Sequence, residues 1–174
     1  MITILFLKAN PDDTTRLNID DEIREIDKAL QQAKLGKHFD LRVHGAVRID
    51  DLQELFERYR PGIVHFSGHG STTGEMILQD DQGKAITVPI DALSNLFGQF
   101  SDNIRCVVLN ACHSDAQASA IARYIDCVIG MSDALSDKAA LNFSPAFYNA
   151  LGNECSIQSA FDNQTLFLRK SRTN

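Results

Sequence analysis

Nowhere in this 174-residue chain is there an apolar run of transmembrane length. The opening Ile2-Thr3-Ile4-Leu5-Phe6-Leu7 is apolar but far too short to span a bilayer, and it has neither a basic leading region nor a small-residue cleavage site. A membrane protein and a secretory leader are therefore not expected. Positive charge is also scarce: the net charge is -6 and the pI about 5.3, so no basic stripe exists to neutralise phosphates and a nucleic-acid partner is excluded. The basic residues that do cluster, Arg169, Lys170 and Arg172, read as a short solvated tail over 169–174. Only four cysteines occur, Cys106, Cys112, Cys127 and Cys155, with no CxxC pairing, which points to free thiols in a reducing cytoplasm. Phosphate-cradling glycine motifs are missing as well. The first strand runs into Asn10-Pro11-Asp12-Asp13 without GxGxxG, and no GxxxxGK[ST] follows anywhere, so a nucleotide cofactor has little support and none is expected.

What the chain does contain fits one compact domain over 1–168, with 44% hydrophobic and 23% charged residues and neither internal repeats nor low-complexity segments. A strand over Ile2 to Ala9 and the polar loop Asn10 to Thr15 lead into a helix whose face is Ile19, Ile23, Ile26, Leu30 and Ala33, capped by Asn18 or Asp20 and ended by Gly36. A second strand over Phe39 to Val43 precedes a helix carrying Leu52, Leu55, Phe56 and Tyr59, stopped by Pro61-Gly62. Ile63 to Ser67 is the third strand. Met76 to Leu78 and Ala85 to Val88 flank Asp80-Asp81-Gln82-Gly83 and predict a small hairpin next to the loop around His69 that leaves the third strand. Pro89 opens a helix bearing Ile90, Leu93, Leu96, Phe97 and Phe100, and Cys106 to Leu109 reads as a strand buried on both faces.

Beyond Cys112, Ser114-Asp115-Ala116-Gln117 has the form of a capping box opening a helix through Tyr124, and Cys127 to Gly130 is a fifth strand. Ser136 begins a last long helix with Ala140, Phe143, Phe147 and Leu151 on one face, which Pro145 should kink or split. The segment from Asn153 starts helical, and Thr165 to Leu168 reads equally as helix or as a short edge strand. The alternation predicts an α/β three-layer sandwich, a mainly parallel sheet of five or six strands flanked by helices, with a small β-hairpin after the histidine loop.

In such sheets the functional groups gather beyond the carboxyl ends of the strands. Two strands end there on reactive side chains, Ile63-Val64-His65-Phe66-Ser67-Gly68-His69-Gly70 and Cys106-Val107-Val108-Leu109-Asn110-Ala111-Cys112-His113-Ser114. If these strands are parallel neighbours, a histidine and a cysteine share one edge, which is how a cysteine hydrolase is assembled. Cys112 precedes a helix start, surroundings that favour thiolate, although its position suits a small buried hydrophobe equally well. His69, between Gly68 and Gly70, is placed to accept the thiol proton and return it to the leaving amine, and those glycines permit close approach of a substrate backbone. His65 lies inside the strand and reads as a core histidine. The backbone amides of Gly70 and Cys112 are the natural donors for an oxyanion. Asp133, or Asp137, suits a pocket for a basic side chain, although Asp137 also suits helix capping. His65, His69, Cys112 and His113 do not read as a metal cluster, because the zinc i, i+4 histidine spacing needs a helix.

His65-Phe66-Ser67-Gly68-His69-Gly70, Leu109-Asn110-Ala111-Cys112, Val128-Ile129-Gly130-Met131 and Ala146-Phe147-Tyr148-Asn149-Ala150-Leu151 together resemble the CHAT family of caspase-like cysteine peptidases, in order and spacing, over nearly the whole chain. The resemblance implies a caspase-haemoglobinase fold, His69 and Cys112 at the dyad positions, and cleavage of a protein or peptide substrate after a selected P1 residue. It also sets Asp133 near where basic-specific relatives carry an acid. Pro145 departs from relatives that continue a helix there, and the chain stops soon after Leu168, where many relatives add a strand that forms one wall of the substrate groove. Members of the family commonly serve bacterial signalling or defence beside sensor and repeat modules, so control is expected from a regulatory or sensor partner or from self-association. The rival readings are a silent CHAT scaffold that binds a partner or itself through an edge strand, and a flavodoxin-like nucleotide or phosphate binder.

Overall fold

The computed structural model describes residues 1–131 and 137–162, with 137–141 described by backbone alone. Among the described residues two compact units emerge, one of Ile2–Leu17 with residues 41–131, the other of Met1 with Asn18–Asp40 and residues 137–162.

The larger unit is built on five strands in the order β2-β1-β3-β6-β7: β1 (Ile2–Lys8), β2 (Phe39–His44, its first two residues in the smaller unit), β3 (Ile63–Ser67), β6 (Cys106–Asn110) and β7 (Cys127–Ile129). The β1–β3, β3–β6 and β6–β7 pairs are all parallel. Every residue of β3 and β6 is buried, which is why Ile63-Val64 and Cys106-Val107-Val108-Leu109 read as apolar rather than alternating, with His65, Ser67 and Asn110 as buried polar members. On one face Val64, Phe66, Val107 and Leu109 join Leu52, Leu55 and Phe56 of α2 (Ile49–Tyr59) and Leu93 and Phe97 of α3 (Ile90–Gln99) in a single core. Each such side chain contributes about 1.5–3 kcal/mol on burial. His65 points to the opposite face, fully buried and stacked on the Phe6 ring with centroids 4.6 Å apart, a core histidine as its place in the strand predicts.

The predicted hairpin is present as β4 (Met76–Gln79) and β5 (Ala85–Val88), antiparallel, with Asp80 accepting the Gln82 and Lys84 amides across its turn. Helix α4 (Asp115–Ile121) stops three residues short of Tyr124. The capping box expected at its start does not form: Ser114 occupies the cap position but makes no side-chain bond there, because its hydroxyl is used between two strands instead.

The smaller unit packs α1 (Ile19–Gln32) on α5 (Asp137–Gly152), burying Ile19, Ile26 and Leu30 of the first and Phe143, Phe147, Tyr148 and Leu151 of the second. Three expectations change here. Ile23 is only half-buried, and its neighbour Glu22 takes the inward place, accepting the Ser144 hydroxyl at 2.5 Å. Asn18 stands at the cap of α1 without a side-chain bond, and Gly36 lies beyond an already extended Ala33, in a 3₁₀ turn (Gly36–His38) so tight that a Cβ there would meet the Leu30 carbonyl. Pro145 neither splits nor ends α5. Proline removes one helical amide, and the aromatic face on either side of it holds the helix through the defect. The segment from Asn153, expected to start helical, opens instead on a turn at 153–154 and is helical over 157–162, while Thr165 to Leu168 and the tail 169–174 lie outside the described residues.

Candidate active site

The site is assembled where β3 and β6 end. Their register pairs Ser67 with Asn110, so the two exit loops leave side by side, and Gly68 N–H continues the ladder by donating to the Asn110 carbonyl at 3.3 Å. Two residues further on, the loops touch through their backbones. A Cβ on Gly70 would fall 1.9 Å from the Cys112 carbonyl oxygen and 3.5 Å from its nitrogen, so only glycine fits. The space expected to admit a substrate backbone at Gly70 is thus filled by the cysteine loop itself. His69 and Cys112 are both half-buried.

Past Gly70 the histidine loop is tied to the hairpin. The His69 carbonyl accepts the Ile77 amide at 3.0 Å and the Glu75 carbonyl accepts the Ser71 amide at 2.8 Å, with Gly70 and Met76 bridged between them. In that arrangement Gly70 and Met76 form the non-hydrogen-bonded pair, which leaves the Gly70 N–H outside the ladder. The tip is closed by Glu75, whose carboxylate accepts the hydroxyls of Ser71 and Thr73; these donors hold it below the usual carboxylate range. Gly74 has φ +93°, a left-handed value that favours glycine, and lies against Ala116 and the His113 carbonyl of the cysteine loop.

The cysteine loop is turned by His113, itself at φ +54°, an uncommon conformation for a side chain-bearing residue. Buried Ser114 follows. Its hydroxyl donates to the Leu109 carbonyl at 3.0 Å and accepts the Met131 amide at 3.0 Å, which fastens the exit of β7 to the end of β6 beneath Cys112.

The imidazole of His69 is oriented by a backbone carbonyl. Its Nε2 lies 2.7 Å from the Thr15 oxygen. A carbonyl only accepts, so Nε2 carries a proton, and in the neutral ring that tautomer leaves the lone pair on Nδ1, the form in which an imidazole can act as a base. Thr15 stands in the loop after β1, which the sequence marked only as polar. A backbone acceptor has no residue signature, so nothing in the sequence could have singled it out. Asp133 lies outside the described residues, and the side chain of Asp137 does too.

The other cysteines are free thiols like Cys112. Cys106 and Cys127 are register partners on β6 and β7, and their thiols are hydrogen-bonded. The bond from Cys106 brings Cys127 down to about 7, whereas that bond and burial push Cys106 up. Among the described residues no group of three or more His, Cys, Asp or Glu side chains converges as a metal site, and no helix is long and apolar enough to cross a membrane.

The CHAT domain family model matches residues 7–173. A probable protease of Gillisia limnaea is 26% identical over 152 residues, covering 86% of this chain and 27% of that protein. A Roc-COR-CHAT protease from an unknown prokaryotic organism is 25% identical over 176 residues, covering 97% of this chain and 17% of that one. The chain therefore spans about a quarter and about a sixth of these relatives' lengths. Among solved structures, a secreted C11 cysteine protease from Bacteroides thetaiotaomicron, in complex with an irreversible peptide inhibitor, superposes with a TM-score of 0.73 at 15% identity over 99% of this chain and 59% of its own. That likeness establishes a shared fold.

Proposed function

The chain belongs to the CHAT domain family, and from that membership we propose that it is a caspase-like cysteine endopeptidase with Cys112 as nucleophile and His69 as general base. The observation that carries the reading is the Nε2 contact with Thr15, which leaves Nδ1 of a histidine beside the cysteine loop as the basic nitrogen. In this reading Nδ1 takes the Cys112 thiol proton as the sulfur bonds to the scissile carbonyl carbon. The carbonyl oxygen becomes an oxyanion between the amides of Gly70 and Cys112, the first of which is free of the hairpin ladder. Collapse breaks the C–N bond, and the amine leaves with the proton from His69. Water, deprotonated by the same imidazole, then hydrolyses the thioester and restores the thiol.

The substrate is a protein or peptide, in keeping with relatives named as proteases. Asp133 is proposed to contact the P1 side chain. Control is assigned to a regulatory or sensor partner or to self-association, in bacterial signalling or defence; one relative's name joins CHAT to Roc and COR. Four free thiols suit a reducing cytoplasm.

Peptidyl acyloxymethyl ketones varied at P1 test this, with the adduct located by mass spectrometry. Adduct is expected on Cys112, lost in both Cys112→Ala and His69→Ala. Adduct confined to Cys127, or Cys112 labelling indifferent to His69→Ala, overturns the reading.

A further inference from the structure

The carbonyl that orients His69 belongs to a loop with its own bracing. Ala9 N–H donates to the Ser67 carbonyl at 3.1 Å, which anchors the start of the loop to the end of β3, two residues from His69. Asn10 then folds its carboxamide across the loop: Nδ2 donates to the Leu17 carbonyl at 3.2 Å while Oδ1 accepts the Leu17 amide at 3.2 Å. Both polar groups of one backbone residue are thereby satisfied by one side chain, closing residues 10–17 into a ring that contains Thr15. Within the ring, the Pro11 carbonyl accepts both the amide and the hydroxyl of Thr14. Outside it, the hairpin adds two further ties. The Asp12 amide donates to the Gly83 carbonyl at 3.0 Å, and the Ala85 amide donates to the Asp13 carboxylate at 2.8 Å.

We propose that Asn10 is a positioning residue, whose two-point clasp of Leu17 holds the Thr15 carbonyl on Nε2 of His69 and so fixes the imidazole as its Nε2–H tautomer. This rests on the dyad reading for its catalytic meaning, though not for its geometry. The task needs a group that donates and accepts at once, at the length of one methylene. Asparagine supplies both. Aspartate accepts only and would set a charge against the Leu17 carbonyl, and leucine matches the shape while making neither bond. Once the clasp is lost, Thr15 is tied only through its neighbours, and the bond to Nε2 is no longer enforced. Nδ1–H then competes, and in that form the lone pair needed to take the thiol proton sits on the nitrogen that faces Thr15.

The experiment is long-range 1H–15N NMR of the ring-labelled full chain, which reads the tautomer of His69 directly, with Asn10→Leu compared to wild type and with His69→Gln used for assignment. Wild type is expected as Nε2–H. Asn10→Leu is expected to shift the ratio about fivefold toward Nδ1–H, the loss of about one ordinary hydrogen bond, with the backbone amide spectrum otherwise preserved. Should Asn10→Leu not fold, Asn10→Asp, which keeps the acceptor for the Leu17 amide but loses the donor to the Leu17 carbonyl, is expected to shift the ratio in the same direction. A folded Asn10→Leu, or failing that a folded Asn10→Asp, that keeps the wild-type tautomer overturns the proposal. The peptidase reading fails separately: a tautomer that responds, combined with iodoacetamide alkylation of Cys112 at neutral pH that ignores His69→Ala, upholds the positioning and removes the dyad.

Discussion

Gly70 and Cys112 meet backbone to backbone, with a Cβ on the glycine placed 1.9 Å from the cysteine carbonyl oxygen. The contact is what brings the two exit loops into one corner, and it is made by the atoms least able to yield.

Gly70→Ala is therefore expected to separate the loops rather than to be absorbed by a rotamer change. Overpacking of this kind costs about 1–3 kcal/mol. A lowered urea midpoint, together with loss of ketone labelling at Cys112, is the expected result. An alanine variant with wild-type stability and labelling would show that the loops move apart freely.

Ser114→Ala removes the hydroxyl that joins Leu109 to Met131. Both bonds are lost, and the Met131 amide is left without its acceptor, a loss of about 1–3 kcal/mol. Denaturation should show it, and the Cys112 labelling rate should fall with it, because the loop that carries the cysteine rests on this tie.

Ser144→Ala tests the smaller unit. The hydroxyl donates to Glu22, a carboxylate that is 2% exposed, and a donor withdrawn from a buried charge costs about 1.5–3 kcal/mol. A urea midpoint unchanged within error would mean that the carboxylate's other interactions carry it.

How much of this was legible beforehand follows from what each residue type can signal. β3 and β6 declared themselves, since strands buried on both faces are mainly apolar without alternation, and the residues just past their ends could then be placed on one edge. The hairpin was equally plain from the turn residues between its strands. Glu22, by contrast, was hidden by its charge: helical periodicity assigns a carboxylate to the solvent side, and only a partner 122 positions away reverses that. Ser114 misled because a serine three residues before a glutamine has the form of a cap, while its hydroxyl is used between the Leu109 carbonyl, five residues back, and the Met131 amide just past β7. The acceptor on His69 is a main-chain oxygen, common to every residue and so invisible in any pattern.

Cys106 and Cys127 pair at the first residues of β6 and β7, the end of the sheet opposite to the one at which β6 leads into Cys112. Cys127 is half-buried and is held to about 7 by the hydrogen bond from Cys106, which is itself raised by that bond and by burial. Between about 7 and the ordinary thiol value near 8.5, the folded chain has released the Cys127 proton while the unfolded chain has not, so stability rises with pH through this window. Above about 8.5 the unfolded chain loses both protons while the folded chain keeps that of Cys106, so stability falls again. A stability maximum near pH 8.5 in urea midpoints is the expected outcome, flattened in Cys106→Ala. Iodoacetamide alkylation of Cys127 should follow an apparent value near 7 that rises when Cys106 is replaced. Alkylation that titrates near 8.5 in both proteins would mean that the two thiols do not share a proton.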